Sequence, residues 1–213
     1  MHDFDPRLYL VTDRSMLQGY SLAGLVKEAA EQGVTAVQLR EKQASFREFL
    51  HLAGELKNVL DPLQIPLLIN DRVDVALAVD AAGVHLGTND MPPDIARRLL
   101  GFDKIIGLSV ETEADIAFAN QQAIDYIGVS PVFKTPTKTD TITEWGLEGV
   151  RYVAEHSRHK VVGIGGLNRD NVAEVMQHDA DGVAVVSAIC TATYPGKAAM
   201  NLRQLIDEAS RWR

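Results

Sequence analysis

Two stretches of this sequence carry residue types suited to holding anions and cations. The run Gln38-Leu39-Arg40-Glu41-Lys42 is the first. Side chains alternate along a strand, so Gln38, Arg40 and Lys42 share one face and Leu39 points the other way. A buried Arg and Lys are costly without an anionic partner. That partner is either a bound anion or an internal carboxylate, such as Glu41 or one from another strand. The second stretch supplies Asn70-Asp71 and, further on, Gly87-Thr88-Asn89-Asp90. If their strands are neighbours, Asp71 and Asp90 face each other. Close carboxylates repel unless a proton or a cation lies between them. Mg²⁺ is commonly held by one or two carboxylates plus substrate phosphates. The alternative has Asp71 paired with Arg72 or capping the next helix, and Asp90 doing likewise before Pro92.

A second set of residues reads as phosphate-binding. Thr135, Pro136, Thr137 and Lys138 lie in a Thr-rich loop whose hydroxyls and ammonium are donors for phosphate oxygens. Ser109 is a further donor. Gly163-Ile164-Gly165-Gly166 and Val185-Val186-Ser187-Ala188 provide glycines whose backbone N–H groups an anion can approach. Two phosphate-oriented regions imply two phosphorylated substrates, or one substrate with two phosphate ends. No nucleophile–His–acid arrangement is legible. His85, between Val84 and Leu86, reads as a satisfied core residue. His2, His51, His156, His159 and His178 read as peripheral, and Cys190 as structural.

The elements that must position these residues follow from periodicity. Short β-rich runs fall at 8–13, 36–40, 67–71, 83–87, 105–110, 126–133, 160–165 and 182–188. Most are nearly continuous apolar runs, as parallel strands covered on both faces require. Between them lie helical patterns, such as Leu22, Leu25, Val26, Ala29 and Ala30, or Phe46, Phe49, Leu50, Ala53, Leu56 and Leu60. Ser21, Ser45 and Asn168 read as N-caps. Eight strands and eight following helices predict an α/β fold, a parallel (β/α)8 TIM barrel as a single domain over residues 1–213. In that fold the site lies where strands end and βα loops begin, and phosphate sits at the loops after strands seven and eight. The irregular stretch 134–145, and 15–20, read as candidate lids.

Composition narrows the classes. The 213 residues carry a formal net charge of -8, which argues against nucleic acid as a partner. An anionic substrate must then be held by local cations or a metal. One cysteine excludes an intramolecular disulfide and suits a reducing compartment. The N-terminal MHDFDPRLYLV lacks a basic segment followed by an apolar run, and no stretch has the ~18 apolar residues of a membrane span. A cytoplasmic protein with no membrane partner is the expectation.

Six segments, taken in order, resemble the thiamine-phosphate synthase family: QLREK at 38–42, INDRVDVA at 69–76, GVHLG…D at 83–90, TPTK at 135–138, GIGG at 163–166 and VVSAI at 185–189. That family joins 4-amino-2-methyl-5-(diphosphooxymethyl)pyrimidine to a thiazole phosphate, giving thiamine phosphate and pyrophosphate. By this resemblance Gln38, Leu39, Arg40, Glu41, Lys42, Asn70, Ser109 and Lys138 hold the pyrimidine diphosphate. Arg40, Lys42, Ser109 and Lys138 act on the leaving pyrophosphate. Asp71 and Asp90 bind one Mg²⁺ per subunit. Thr135, Pro136, Thr137, Gly166, Val186 and Ser187 contact the thiazole phosphate. A homo-oligomer is common for small barrels, but no interface is legible.

The sequence departs from the family pattern at three places. Ser130 stands where a Gly is usual, Lys134 where a Pro is common, and Thr88 where a Gln is frequent. Competing readings are a thiazole phosphate tautomerase, a non-catalytic sensor of thiamine precursors, and an unrelated phosphate-binding barrel isomerase. The tautomerase typically carries a His near the end of strand six, where this chain has Pro131. The isomerase accounts for Gly166 and Ser187 but not for the Asp71 and Asp90 pair.

Overall fold

The computed structural model describes residues 4–135 and 144–211. Eight parallel strands alternate with helices and close on themselves. The strands are β1 (Leu8–Val11), β2 (Ala36–Leu39), β3 (Leu67–Asn70), β4 (Gly83–Leu86), β5 (Ile105–Val110), β6 (Tyr126–Val129), β7 (Lys160–Ile164) and β8 (Gly182–Val185). Each pairs with its sequence neighbour, and β1 closes on β8 through Leu8↔Val183 and Leu10↔Val185. This is a TIM barrel, as the periodicity predicts.

The helices are α1 (Leu22–Glu31), α2 (Phe46–Leu60), α3 (Val73–Ala78), α4 (Pro93–Leu100), α5 (Glu113–Ala119), α6 (Gly146–His156), α7 (Val172–Gln177), α8 (Ser187–Cys190) and α9 (Pro195–Ser210). Among the described residues that is one more than the sequence predicts, because α8 is a four-residue helix that begins inside the run read as the eighth strand. Ser21 and Ser45 do cap α1 and α2, accepting from the N–H groups of Gly24 and Glu48. Asn168 does not cap α7. It organises the preceding turn by accepting from Asp170, and Asn171 occupies the cap position. No helix among the described residues is long and apolar enough to cross a membrane.

Alternation along the strands divides the core in two. Leu8, Leu10, Val37, Leu39, Leu67, Ile69, Val84 and Leu86 point outward into the layer shared with the helices. Tyr9, Val11, Ala36, Leu68, Ile105, Tyr126, Val162 and Ala184 point inward, with Phe4 closing the N-terminal end. Most residues on both faces are buried, which is why the strands read as nearly unbroken apolar runs. Full burial of each large side chain contributes roughly 1.5–3 kcal/mol. The inner layer depends on size pairing. A Cβ at Gly107 would lie 2.1 Å from the Tyr126 ring, so only glycine on β5 leaves room for that phenol.

Candidate active site

A cavity of about 1090 Å³, counting its open mouth, sits at the C-terminal ends of the strands. Its walls include Gln38, Arg40, Lys42, Asn70, Asp71, Asp90, Ser109, Thr135, Gly166, Val186 and Ser187. The strand-end reading therefore converges on one place. Leu39 and Glu41 do not line it. Leu39 is fully buried in the outer layer, as its place in the alternation requires. Glu41 turns away to pair with Arg14 at 2.8 Å. Pro136, Thr137 and Lys138 lie outside the described residues.

One wall carries the charges. Lys42 Nζ donates to Asp71 Oδ2 at 2.9 Å, so this ammonium does find the carboxylate of another strand. Asp71 is not paired with Arg72, which binds Asp74 instead. Its backbone has a φ of 62°, the left-handed region, and its N–H donates to His85 O on the next strand at 2.9 Å. Asp90 Oδ2 accepts the N–H of Gly87 at 2.7 Å. Burial, then the adjacent Asp71 carboxyl, push the Asp90 carboxyl up. The two acids are thus close enough to repel, and a cation between them relieves that repulsion. No group of three or more His, Cys, Asp or Glu residues is arranged for a metal among the described residues. A divalent ion at Asp71 and Asp90 would complete its shell with water or phosphate oxygens. Arg40 lines the same wall, and its guanidinium has no ion pair among the described residues. It is available to an anion.

The opposite wall is built from backbone. Gly165 and Gly166 have φ values of 101° and 68°, which side-chain-bearing residues rarely adopt. A Cβ on Gly166 would meet Phe133 Cβ at 2.8 Å and Lys134 O at 2.9 Å. Asn171 Nδ2 fixes the turn by donating to Gly166 O at 3.0 Å. Beside it Ser187 opens α8, whose first N–H groups have no acceptor within the helix.

Sequence reasoning missed the floor. Tyr9, Thr12, His85, Tyr126 and Ser130 also line the cavity. His85 is satisfied at both ring nitrogens, by Tyr126 Oη at 2.9 Å and Ser109 Oγ at 3.0 Å. It nonetheless faces the site rather than the outer core. The signal was available: His85 lies two residues before Gly87, and Tyr126 four before Ser130, on the inward-facing alternation. Cys190 is buried, and burial pushes its thiol up to about 11, in keeping with a structural role.

Residues 8–189 match the family model described as Thiamine monophosphate synthase. The thiamine-phosphate synthase of Albidiferax ferrireducens is 55% identical over 201 residues, covering 94% of this chain and 92% of that protein. That of Vibrio parahaemolyticus is 50% identical, covering 94% of this chain and 98% of that protein. Among solved structures, thiamine phosphate pyrophosphorylase from Pyrococcus furiosus superposes with a TM-score of 0.89 at 38% identity, covering 97% of this chain and 98% of that one. The barrel, the strand-end residues gathered on one cavity and these relatives agree: the chain belongs to the thiamine-phosphate synthase family.

Proposed function

We propose that this enzyme makes thiamine phosphate by dissociative loss of pyrophosphate from the pyrimidine diphosphate, followed by capture of the pyrimidinylmethyl cation by the thiazole phosphate. The C–O bond to the diphosphate breaks with its electron pair leaving on oxygen. The thiazole nitrogen lone pair then forms the C–N bond. A neutral nitrogen of this kind needs no general base, which suits a cavity without a nucleophile–His–acid set.

The observation that carries this reading is the opposition of two anion-binding walls across one cavity. Arg40, Lys42 and the Asp71–Asp90 pair form one, and Gly165–Gly166 with Ser187 the other. Asp71 and Asp90 would hold Mg²⁺, and their mutual repulsion fits that role. Bound there with the diphosphate, the ion would supply Lewis-acid charge to the leaving group. Arg40 and Lys42 orient the diphosphate and meet the negative charge that grows on it. Ser109 and Asn70 complete that subsite, and Lys138 adds a cation from the loop. Gln38 holds the pyrimidine. Thr135, Thr137, Gly166, Val186 and Ser187 hold the thiazole phosphate. The apolar inner layer beneath excludes water that would otherwise trap the cation.

The test is turnover of the pyrimidine diphosphate and the thiazole phosphate with Mg²⁺, quantifying thiamine phosphate and pyrophosphate. Equimolar products that vanish on chelation support the reading. Binding of both substrates without turnover points to a sensor, and binding of neither defeats the reading.

A further inference from the structure

Five side chains from five strands form one hydrogen-bonded chain across the cavity floor. Gln38 Nε2 donates to Tyr9 Oη at 2.9 Å. Tyr9 Oη lies 3.0 Å from Tyr126 Oη. Tyr126 Oη lies 2.9 Å from His85 Nδ1, and His85 Nε2 lies 3.0 Å from Ser109 Oγ. The phenols are held in place from below. Phe4 packs its ring 5.0 Å from that of Tyr126 and 6.1 Å from that of Tyr9, and Gly107 leaves the space Tyr126 fills.

Proton counting gives this chain a direction. Each phenol has one hydrogen, is buried, and must place that hydrogen on an acceptor. Tyr9 receives from Gln38, so its own hydrogen goes to Tyr126. Tyr126 therefore donates to His85 Nδ1. His85, bare at Nδ1, carries its proton on Nε2 and donates to Ser109 Oγ. The hydroxyl hydrogen of Ser109 is left to point into the cavity. Burial pushes the pKa of both phenols up, so neither breaks the sequence by losing its proton.

We infer that Tyr9, Tyr126 and His85 are positioning residues, a directed relay that commits Ser109 to donate its hydroxyl hydrogen toward the departing diphosphate. The inference rests on the proposed function for the identity of the anion. The opposite polarity requires Gln38 to turn its carbonyl oxygen to Tyr9. Ser109 would then give its hydrogen to His85 and offer only lone pairs to an acceptor. A hydroxyl already aimed needs no reorganisation as charge develops, so its effect falls on the chemical step more than on binding.

The first experiment is nitrogen NMR of the protein with ¹⁵N-labelled histidine, in inorganic pyrophosphate and Mg²⁺. His85 is assigned by its loss in His85→Gln. A proton on Nε2 with bare Nδ1 is expected. A proton on Nδ1, or on both nitrogens, overturns the relay. The same tautomer without pyrophosphate is expected, because the hydroxyl is already aimed; pyrophosphate that fails to bind with Mg²⁺ defeats the functional reading and leaves the tautomer as the test of the relay. The second experiment is kinetic. Tyr126→Phe keeps the ring and cuts the chain at its middle. It is expected to lower kcat about tenfold with little change in KM for the pyrimidine diphosphate. His85→Gln, which keeps one acceptor and one donor, is expected to restore turnover relative to His85→Phe. Unchanged kcat in Tyr126→Phe, or equal loss in the two His85 variants, overturns the inference.

Discussion

Lys42 Nζ sits 2.9 Å from Asp71 Oδ2, joining the loops that follow β2 and β3. Lys42 engages one acid of the Asp71–Asp90 couple, while burial and then the Asp71 carboxyl push the Asp90 carboxyl up. Asp71 also has a φ of 62°. Asn tolerates this conformation, whereas Ala in it costs roughly 1–2 kcal/mol. Asp71→Asn therefore removes charge alone, and Asp71→Ala removes charge and adds strain. Both variants are expected to lose Mg²⁺-dependent turnover. Only the alanine variant is expected to melt earlier, by roughly 2–8 °C. Full activity in either variant takes Asp71 out of the proposed metal site.

Arg40 presents a guanidinium to the cavity that no carboxylate among the described residues neutralises. The proposed function places its value in binding rather than in folding. Hydrogen bonds to charged groups are worth about 1.5–3 kcal/mol, so Arg40→Met should cut kcat/KM for the pyrimidine diphosphate about ten- to a hundredfold. Its melting temperature should stay level or rise, since a partly buried unpaired cation is removed. A fall in melting temperature with unchanged kcat/KM would assign Arg40 to packing.

Gly166 tests the other wall. Its φ is 68°, and a Cβ added there would come within 2.9 Å of Lys134 O, which leaves no room for a side chain. Gly166→Ala must shift the turn against Phe133 and Lys134. We expect KM for the thiazole phosphate to rise by about tenfold or more, and stability to fall by about 1–3 kcal/mol. Affinity for the pyrimidine diphosphate should be retained. Equal weakening of both substrates would mean that the two walls are not separate subsites.

The barrel was legible because parallel strands buried on both faces leave unbroken apolar runs, and the loops between them are short. Strand ends were less so. The run 126–133 reads as strand, but β6 stops at Val129, and Pro131 has no N–H to extend the ladder. The run 182–188 reads likewise, but the chain turns into α8 at Ser187. Apolar content does not distinguish a strand end from the first turn of a short helix. The charged residues of the site were visible because polar groups at strand ends stand out. Tyr9, His85 and Tyr126 were not. They sit within the strands, and their meeting depends on how eight strands are staggered around the barrel. The Glu41 ion pair was hidden for a related reason, since its partner Arg14 is 27 residues away in sequence.

Arg97 makes a demand on folding alone. Its guanidinium is buried and donates to the carbonyls of Ala123 at 2.8 Å, Gly101 at 2.9 Å and Lys104 at 2.6 Å, and to Asp125 Oδ2 at 2.8 Å. Asp125 also accepts the N–H of Ile106 at 2.8 Å. These groups lie just before β5 and β6, at the end of the barrel away from the cavity. Removing one partner of a buried pair typically costs about 3–5 kcal/mol. Arg97→Met should therefore lower the melting temperature by roughly 10 °C. Arg97→Lys should not rescue it, because an ammonium cannot reproduce the planar fork that reaches four acceptors. kcat/KM of the folded fraction at 25 °C should match the unaltered enzyme. A loss of kcat/KM in the folded fraction would show that the two ends of the barrel are coupled, since no side chain of this cluster reaches the cavity wall.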